Sequence, residues 1–219
     1  MAATAGVQRI VYLGGLQPRW SEDGGDARAA HASPHLASRE AVERILLEAI
    51  PDSIALRASI IIGAQSRSFR LLVRLVERMP VLTLPAWHRF RTQPLDARDV
   101  IEMLAAAASA PLGGRSLELG GPEVLSYGEM LTGIAELMLV RRPSVTLGLN
   151  MTPIAARVAA AIAGEDSELV LALMEGLQGD LLAHGEDGAR LLGVSLHSFD
   201  SAVEHALREW EALEPLAAR

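Results

Sequence analysis

The sequence has no cysteine, which removes disulfide frameworks, zinc–thiolate sites and thiol nucleophiles together. That suits a reducing compartment, and a cytoplasmic location is expected. It has no lysine either: all 20 basic residues are arginine, scattered along the chain and outnumbered by 27 acids for a formal net charge of −7. Proteins that neutralise nucleic-acid phosphates need clustered basic side chains, so a nucleic-acid partner is not expected. Aromatic residues make up only 4 % of the chain, so its core must be built from Leu, Ile, Val and Ala. No apolar run approaches the roughly 20 residues of a membrane span, and the Ala-rich stretch 154–163 is broken by Arg157. The opening residues, Met1 to Gly6, lack the basic and apolar regions of a signal peptide. The six histidines (31, 35, 88, 184, 197 and 205) show no metal-ligand spacing, and no metal site is expected. Without a G-x-S-x-G elbow, an α/β-hydrolase reading also fails.

What is present is a chain that can fold. Half of its 219 residues are hydrophobic and 21 % are charged, which fits one ordinary domain, or one domain with a small lobe. Arg9 to Leu13, ended by Gly14-Gly15, reads as a buried parallel strand because it does not alternate. Gln17 to Ser33 reads as a long loop. Ser33-Pro34 opens a helix, with Val42, Ile45, Leu46 and Ala49 as its apolar stripe and Glu40, Glu43, Arg44 and Glu48 mostly toward solvent. Ile54 to Ile62 reads as one strand. A helix from Ser68 follows, with Phe69, Leu72, Val73 and Val76 on one face. Val81 to Leu84 and Arg91 to Leu95 read as short strands.

Asp96 caps a helix carrying Val100, Ile101, Leu104, Ala105 and Ala108, and Asp99 reads as a first-turn acid favoured by the helix dipole. Ser116 to Leu119 is a strand, and Ser126 with Glu129 forms a capping box for a helix running to Leu139. Val145 to Leu149 is a possible strand. Helices are expected over 152–163, 165–177 and 198–213; the first two could pair with another chain or simply face the core. Alternating strands and helices imply a parallel sheet with crossover helices.

Four segments then carry a resemblance: Val11 to Gly15, Leu56 to Gly63, Thr92 to Val100, and Leu119 to Tyr127. In this order they resemble the extended and atypical short-chain dehydrogenase/reductase superfamily, in particular the NAD(P)-binding branch of NmrA-like and complex I accessory-subunit-like proteins. The resemblance implies an α/β fold: the C-terminal part of a Rossmann-like parallel sheet with flanking helices and a helical C-terminal lobe, divided as 1–125 and 126–219. Family members begin with a strand and a glycine-rich G-x-x-G-x-x-G turn that holds the cofactor pyrophosphate, and this sequence has no such turn. Val11 to Gly15 matches the fourth strand of the family's sheet instead, and Met1 to Val7 looks like the end of the preceding helix. The expectation is therefore a truncated chain with impaired cofactor binding.

The resemblance also assigns residues. The family's Y-x-x-x-K places its proton donor and its ribose-binding lysine four apart on one helix face; His35 and Arg39 fall at those positions, as the candidate catalytic pair. Imidazole can transfer protons near neutral pH, and a guanidinium can still bind ribose or phosphate oxygens. The alternative is a first-turn residue beside a cap and a solvated helix charge. Gly14 and Gly15 stand where the family has a hydroxyl residue. Leu13, Gly14, Gly15, His35, Arg39, Ala58, Ile60 and Ile61 are the implied contacts to NAD or NADP. Trp87, Arg91 and Gln93 lie where relatives face substrate, with core packing as the alternative for Trp87. An oxidoreductase or epimerase type of function is implied, with a non-enzymatic NAD(P)H-sensing, scaffold or assembly role as the rival. An open edge on the first strand would recruit a second copy or a companion chain.

Overall fold

The computed structural model describes residues 3–17, 34–84, 86–146, 179–185 and 187–214. A 3-10 turn (Ala3–Ala5) leads to β1 (Val11–Gly15), α1 (Pro34–Ala49), β2 (Ile54–Ala58), β3 (Ile61–Ile62), α2 (Arg67–Arg78) and β4 (Leu82–Leu84). After a 3-10 turn at Ala86–Arg89 come β5 (Arg91–Thr92), β6 (Leu95–Asp96), α3 (Ala97–Ser109), β7 (Arg115–Leu119), β8 (Leu125–Ser126), α4 (Tyr127–Leu137) and β9 (Ser144–Thr146). The described chain closes with α5 (Gly188–Leu192) and α6 (Phe199–Leu213). The fold is α/β and Rossmann-like, with flanking helices. The expected helices at 152–163 and 165–177, and the loop from residue 18 to 33, lie outside the described residues.

The centre is a three-stranded parallel sheet in the order β1-β2-β7, with Leu13 opposite Leu56 and Leu56 opposite Leu117. β1 and β2 are largely apolar runs, with Arg57 the exception, whereas β7 alternates apolar Leu117 and Leu119 with Ser116 and Glu118. Because side chains alternate along a strand, Ile54, Leu56, Ala58, Leu117 and Leu119 share one face. They form a core with Val100, Met103 and Ala107 of α3 and Ala189 and Leu192 of α5. The other face carries Tyr12, Gly14, Arg57 and Ser116 toward α1. Arg9 ties the lower end together: its guanidinium donates to the carbonyls of Ala107, Ala108 and Ala110 at the end of α3 and pairs with Asp52. A cation at a helix C-terminus satisfies orphan carbonyls and complements the dipole.

A second core joins α2, α4 and α6. Phe69, Leu72, Val73 and Val76 are buried there, as the spacing on α2 predicts, against Met130, Ile134, Val203 and Trp210. Strands from the two halves of the sequence interleave: β4 pairs with β9, β5 with β8, and Thr92 bridges to Leu181.

Several expectations are corrected. The strand expected over 54–62 breaks at Ser59-Ile60, because Ile61–Ile62 leaves the central sheet to pair with Leu95–Asp96. The strand expected over 91–95 splits at Gln93-Pro94, since Pro94 has no N–H to continue a ladder. Helix α2 is capped by Ser66 rather than opening at Ser68. Helix α4 stops at Leu137, and Leu139 sits at φ 58° in the left-handed region that usually takes glycine after a helix.

Two helix faces are also turned from their expected direction. On α1, Glu43 is buried, whereas Val42 and Ile45 are 41 % and 59 % exposed. On α3, Met103, Ala107 and Asp99 are buried while Ile101 is exposed. In both helices an acid has been drawn inward by a specific partner, described next.

Candidate functional site

The carboxyl ends of β1 and β2 lie side by side, where open α/β sheets place their ligand crevices. Gly15 is opposite Ala58, and the Leu16 amide donates to the Ala58 carbonyl at 2.9 Å. Helix α1 runs across this end. A Cβ built on Gly15 would lie 3.3 Å from the Arg39 guanidinium, so this exposed arginine stands directly against the strand end. Gly14 faces α1, with its ideal Cβ 3.7 Å from a Glu43 carboxylate oxygen. The structure thus brings together Gly14, Gly15, Arg39 and Ala58 of the expected cofactor contacts. Leu13 points instead into the apolar core beneath the sheet. The Ile60 carbonyl is occupied by the Leu95 amide, and Ile61 pairs with Leu95. His35 falls in the first turn of α1, and its side chain lies outside the described residues.

Beneath Arg39 is a polar network that sequence reasoning missed. The Glu43 carboxylate, 7 % exposed, accepts from Arg57 Nε (3.0 and 3.1 Å) and from its terminal nitrogen (2.7 Å). It also accepts from Ser116 Oγ. The Arg57 guanidinium is held above its ordinary pKa by the hydrogen bond to Glu43, against the opposing effect of burial. The only signal in the sequence was an arginine inside an otherwise apolar strand, where a buried cation requires a paired anion.

Of the expected substrate-facing residues, Arg91 and Gln93 are engaged with the protein. Arg91 donates from Nε (3.0 Å) and a terminal nitrogen (2.8 Å) to one oxygen of Asp180, whose other oxygen accepts from the Arg91 amide at 2.8 Å, on the protein's surface. Gln93 accepts from the Ala183 amide at 2.8 Å and donates to the Gly121 carbonyl at 3.3 Å, while its own carbonyl accepts from Ser59. Trp87 belongs to the 3-10 turn before β5, and its side chain lies outside the described residues.

Asp96 caps α3 through the Arg98 amide, as the sequence suggests, and also pairs with the Arg98 guanidinium at 2.5 Å. Burial raises the Asp96 carboxyl, but the Arg98 contacts outweigh it and hold it below its ordinary range. Asp99 is more than a dipole-favoured acid. It is 1 % exposed and accepts from the His197 amide at 2.8 Å, with His197 Nδ1 2.5 Å away, which anchors the segment leading into α6. No group of three potential metal ligands occurs among the described residues, and none of their helices is long and apolar enough to cross a membrane.

No family model and no curated protein matches the chain. Solved structures share its fold. A nucleoside-diphosphate-sugar epimerase from Staphylococcus aureus superposes with a TM-score of 0.67 at 17 % identity over 93 % of this chain and 67 % of that one. A UDP-glucose 4-epimerase from Thermotoga maritima, solved with UDP-glucose, gives 0.67 at 11 % identity over 97 % and 67 %. The Bordetella bronchiseptica enzyme WbmH, in complex with NAD+, gives 0.61 at 14 % over 98 % and 66 %. The chain spans about two thirds of the length of each of these structures. Identities this low establish the fold and nothing finer.

Proposed function

We propose that the protein is an NAD(P)-binding member of the short-chain dehydrogenase/reductase-like group, of oxidoreductase or epimerase type and cytoplasmic, with degenerate catalytic residues. We place it in the NmrA-like and complex I accessory-subunit-like branch; the sequence 1–219 carries no glycine-rich G-x-x-G-x-x-G turn. The observation that carries this reading is the Arg39 guanidinium seated over Gly15 at the carboxyl end of a parallel α/β sheet. The nicotinamide end of the cofactor fits there. Gly15 leaves the strand end free of a side chain, Arg39 would hold ribose or phosphate oxygens, and Ala58 would stand beside the ring, whereas Ile60 and Ile61, proposed from the resemblance, would have to reach it from their pairing with Leu95. His35 would complete this corner from the first turn of α1. When bound, the nicotinamide supplies hydride transfer. No glycine-rich turn in residues 1–219 is available to cradle the pyrophosphate, so affinity of these residues for the whole dinucleotide should be weak.

The same observation favours the non-enzymatic form of this reading, an NAD(P)H sensor, scaffold or assembly protein. Gly14 and Gly15 supply no hydroxyl where the superfamily has one, and Arg39, which stands against Gly15, cannot donate its proton. Substrate, where there is one, would approach past Trp87, Arg91 and Gln93. Among the described residues, β1 pairs only with β2, and the exposed Val42 and Ile45 lie on the neighbouring helix. We place the contact to a second copy or a companion chain on that edge.

The test is a titration of NADH and NADPH by nicotinamide fluorescence, followed by turnover assays with quinones and carbonyls. Binding that is lost in Arg39→Ala, without turnover, is the expected result. Failure of either cofactor to bind at millimolar concentration overturns the cofactor reading, and turnover that survives Arg39→Ala and His35→Ala overturns the site.

A further inference from the structure

We propose that Glu43 is the positioning residue of this corner: by gripping Arg57 and Ser116 it sets the height of α1, so that Arg39 lies against Gly15. The proposal rests on the reading of Gly15 and Arg39 as the nicotinamide end, and it names what builds that end.

Glu43 follows Arg39 by four residues, so the two side chains leave neighbouring turns on the same side of α1. One reaches the strand end and the other reaches the middle of the sheet. The Glu43 carboxylate touches two strands at once, Arg57 on β2 and Ser116 on β7, while Gly14 on β1 provides the room for its approach. A single buried group therefore refers α1 to all three strands of the central sheet. Hydrogen bonds to a carboxylate are directional, whereas apolar contacts allow a helix to slide or roll.

The rotation of α1 shows which interaction decides. Turning Val42 and Ile45 inward would bury more apolar surface, yet the helix turns Glu43 in and leaves both exposed. Buried ion pairs add little net stability over apolar packing of the same volume, so orientation is the effect this pair supplies. Tyr12 adds a lateral contact, donating to the Arg39 carbonyl at 3.4 Å.

The experiment reads Arg39 directly, by side-chain 15N relaxation of its Nε–H in the protein without cofactor. Glu43→Gln keeps the shape and removes the charge; Ser116→Ala removes one contact and serves if Glu43→Gln does not fold. Glu48→Gln, on the exposed face of α1, is the control. The expected result is an ordered Arg39 Nε–H in the wild type and Glu48→Gln, with loss of that order in Glu43→Gln and a smaller loss in Ser116→Ala. Unchanged Arg39 order in folded Glu43→Gln or Ser116→Ala overturns the proposal, as does a disordered Arg39 in the wild type. NADH titration of the same proteins separates the two ideas. Loss of Arg39 order in a protein that never binds NADH refutes the cofactor reading and leaves the positioning role standing.

Discussion

The two faces of the central sheet are built on opposite principles. Toward α3 and α5 the strands present Ile54, Leu56, Ala58, Leu117 and Leu119, and the contact is wholly apolar. Toward α1 they present Tyr12, Gly14, Arg57 and Ser116, and the contact runs through one buried carboxylate. The first face holds its helices by the amount of surface removed from water, a force without direction. The second holds its helix by geometry. The face that supplies most of the stability is thus not the face that sets the candidate site, and substitutions should separate the two.

The largest expected effect tests the apolar face. Leu56 is fully buried, and Leu56→Ala should cost roughly 2–5 kcal/mol in urea unfolding, from lost transfer energy and the cavity left behind. Glu43→Ala should come close, because it strands Arg57; removing one partner of a buried pair costs about 3–5 kcal/mol. Arg57 is 29 % exposed, which puts the expectation at the lower end of that range. The faces part company in the double variant Glu43→Leu with Arg57→Met, which should recover most of the lost stability while losing the order of Arg39. A double variant as unstable as Glu43→Ala would mean that the polar face also holds the fold together, and the contrast would fail.

Glycines sharpen the comparison at a smaller scale. A Cβ on Gly188 would lie 2.7 Å from Leu119 Cδ2 and 2.9 Å from the Glu118 carbonyl, against backbone that cannot yield. A Cβ on Gly14 meets the Tyr12 ring at 3.1 Å, and a side chain exposed at its edge can give way. Gly188→Ala should therefore cost about 1–3 kcal/mol by overpacking, and Gly14→Ala clearly less in the same thermal melts. Equal losses would show that the α1 face is packed as tightly as the other.

The apolar face was the legible one. Strand periodicity and turn residues identify β1, β2 and β7, and the caps Asp96 and Ser126 mark the starts of α3 and α4, because these signals are local. The polar face was not legible in the same way. The stripe of Val42, Ile45, Leu46 and Ala49 predicts the wrong rotation of α1, since the residues that turn it, Arg57 and Ser116, lie 14 and 73 positions from Glu43. Asp99 misleads in the same manner: its partner His197 is 98 residues away. Of the site, the spacing argument from the resemblance names His35 and Arg39, and the structure describes only the Arg39 side chain, against Gly15. The network beneath it needed coordinates, because pairing between distant polar residues leaves no periodic trace.

The smallest effect concerns a charged corner beside the apolar face, at the start of α3. Asp96 is 1 % exposed at the start of α3, and its carboxyl lies below the ordinary value of 3.8 because Arg98 outweighs burial. A carboxyl whose folded pKa is depressed contributes stability that is complete above its unfolded pKa and vanishes as pH falls through the folded one. Below pH 3.8, then, the wild type should lose this contribution progressively. Asparagine caps helices as well as aspartate does, so Asp96→Asn keeps the cap and removes only the charge. Its unfolding free energy should be lower than wild type at neutral pH and should fall less steeply on acidification. Some acid dependence will remain, because Glu129, through its hydrogen bonds at Ser126, and Glu214, through Trp210, are also depressed. Acid limbs that superimpose for the two proteins would show that this corner behaves like the apolar face beside it, indifferent to charge.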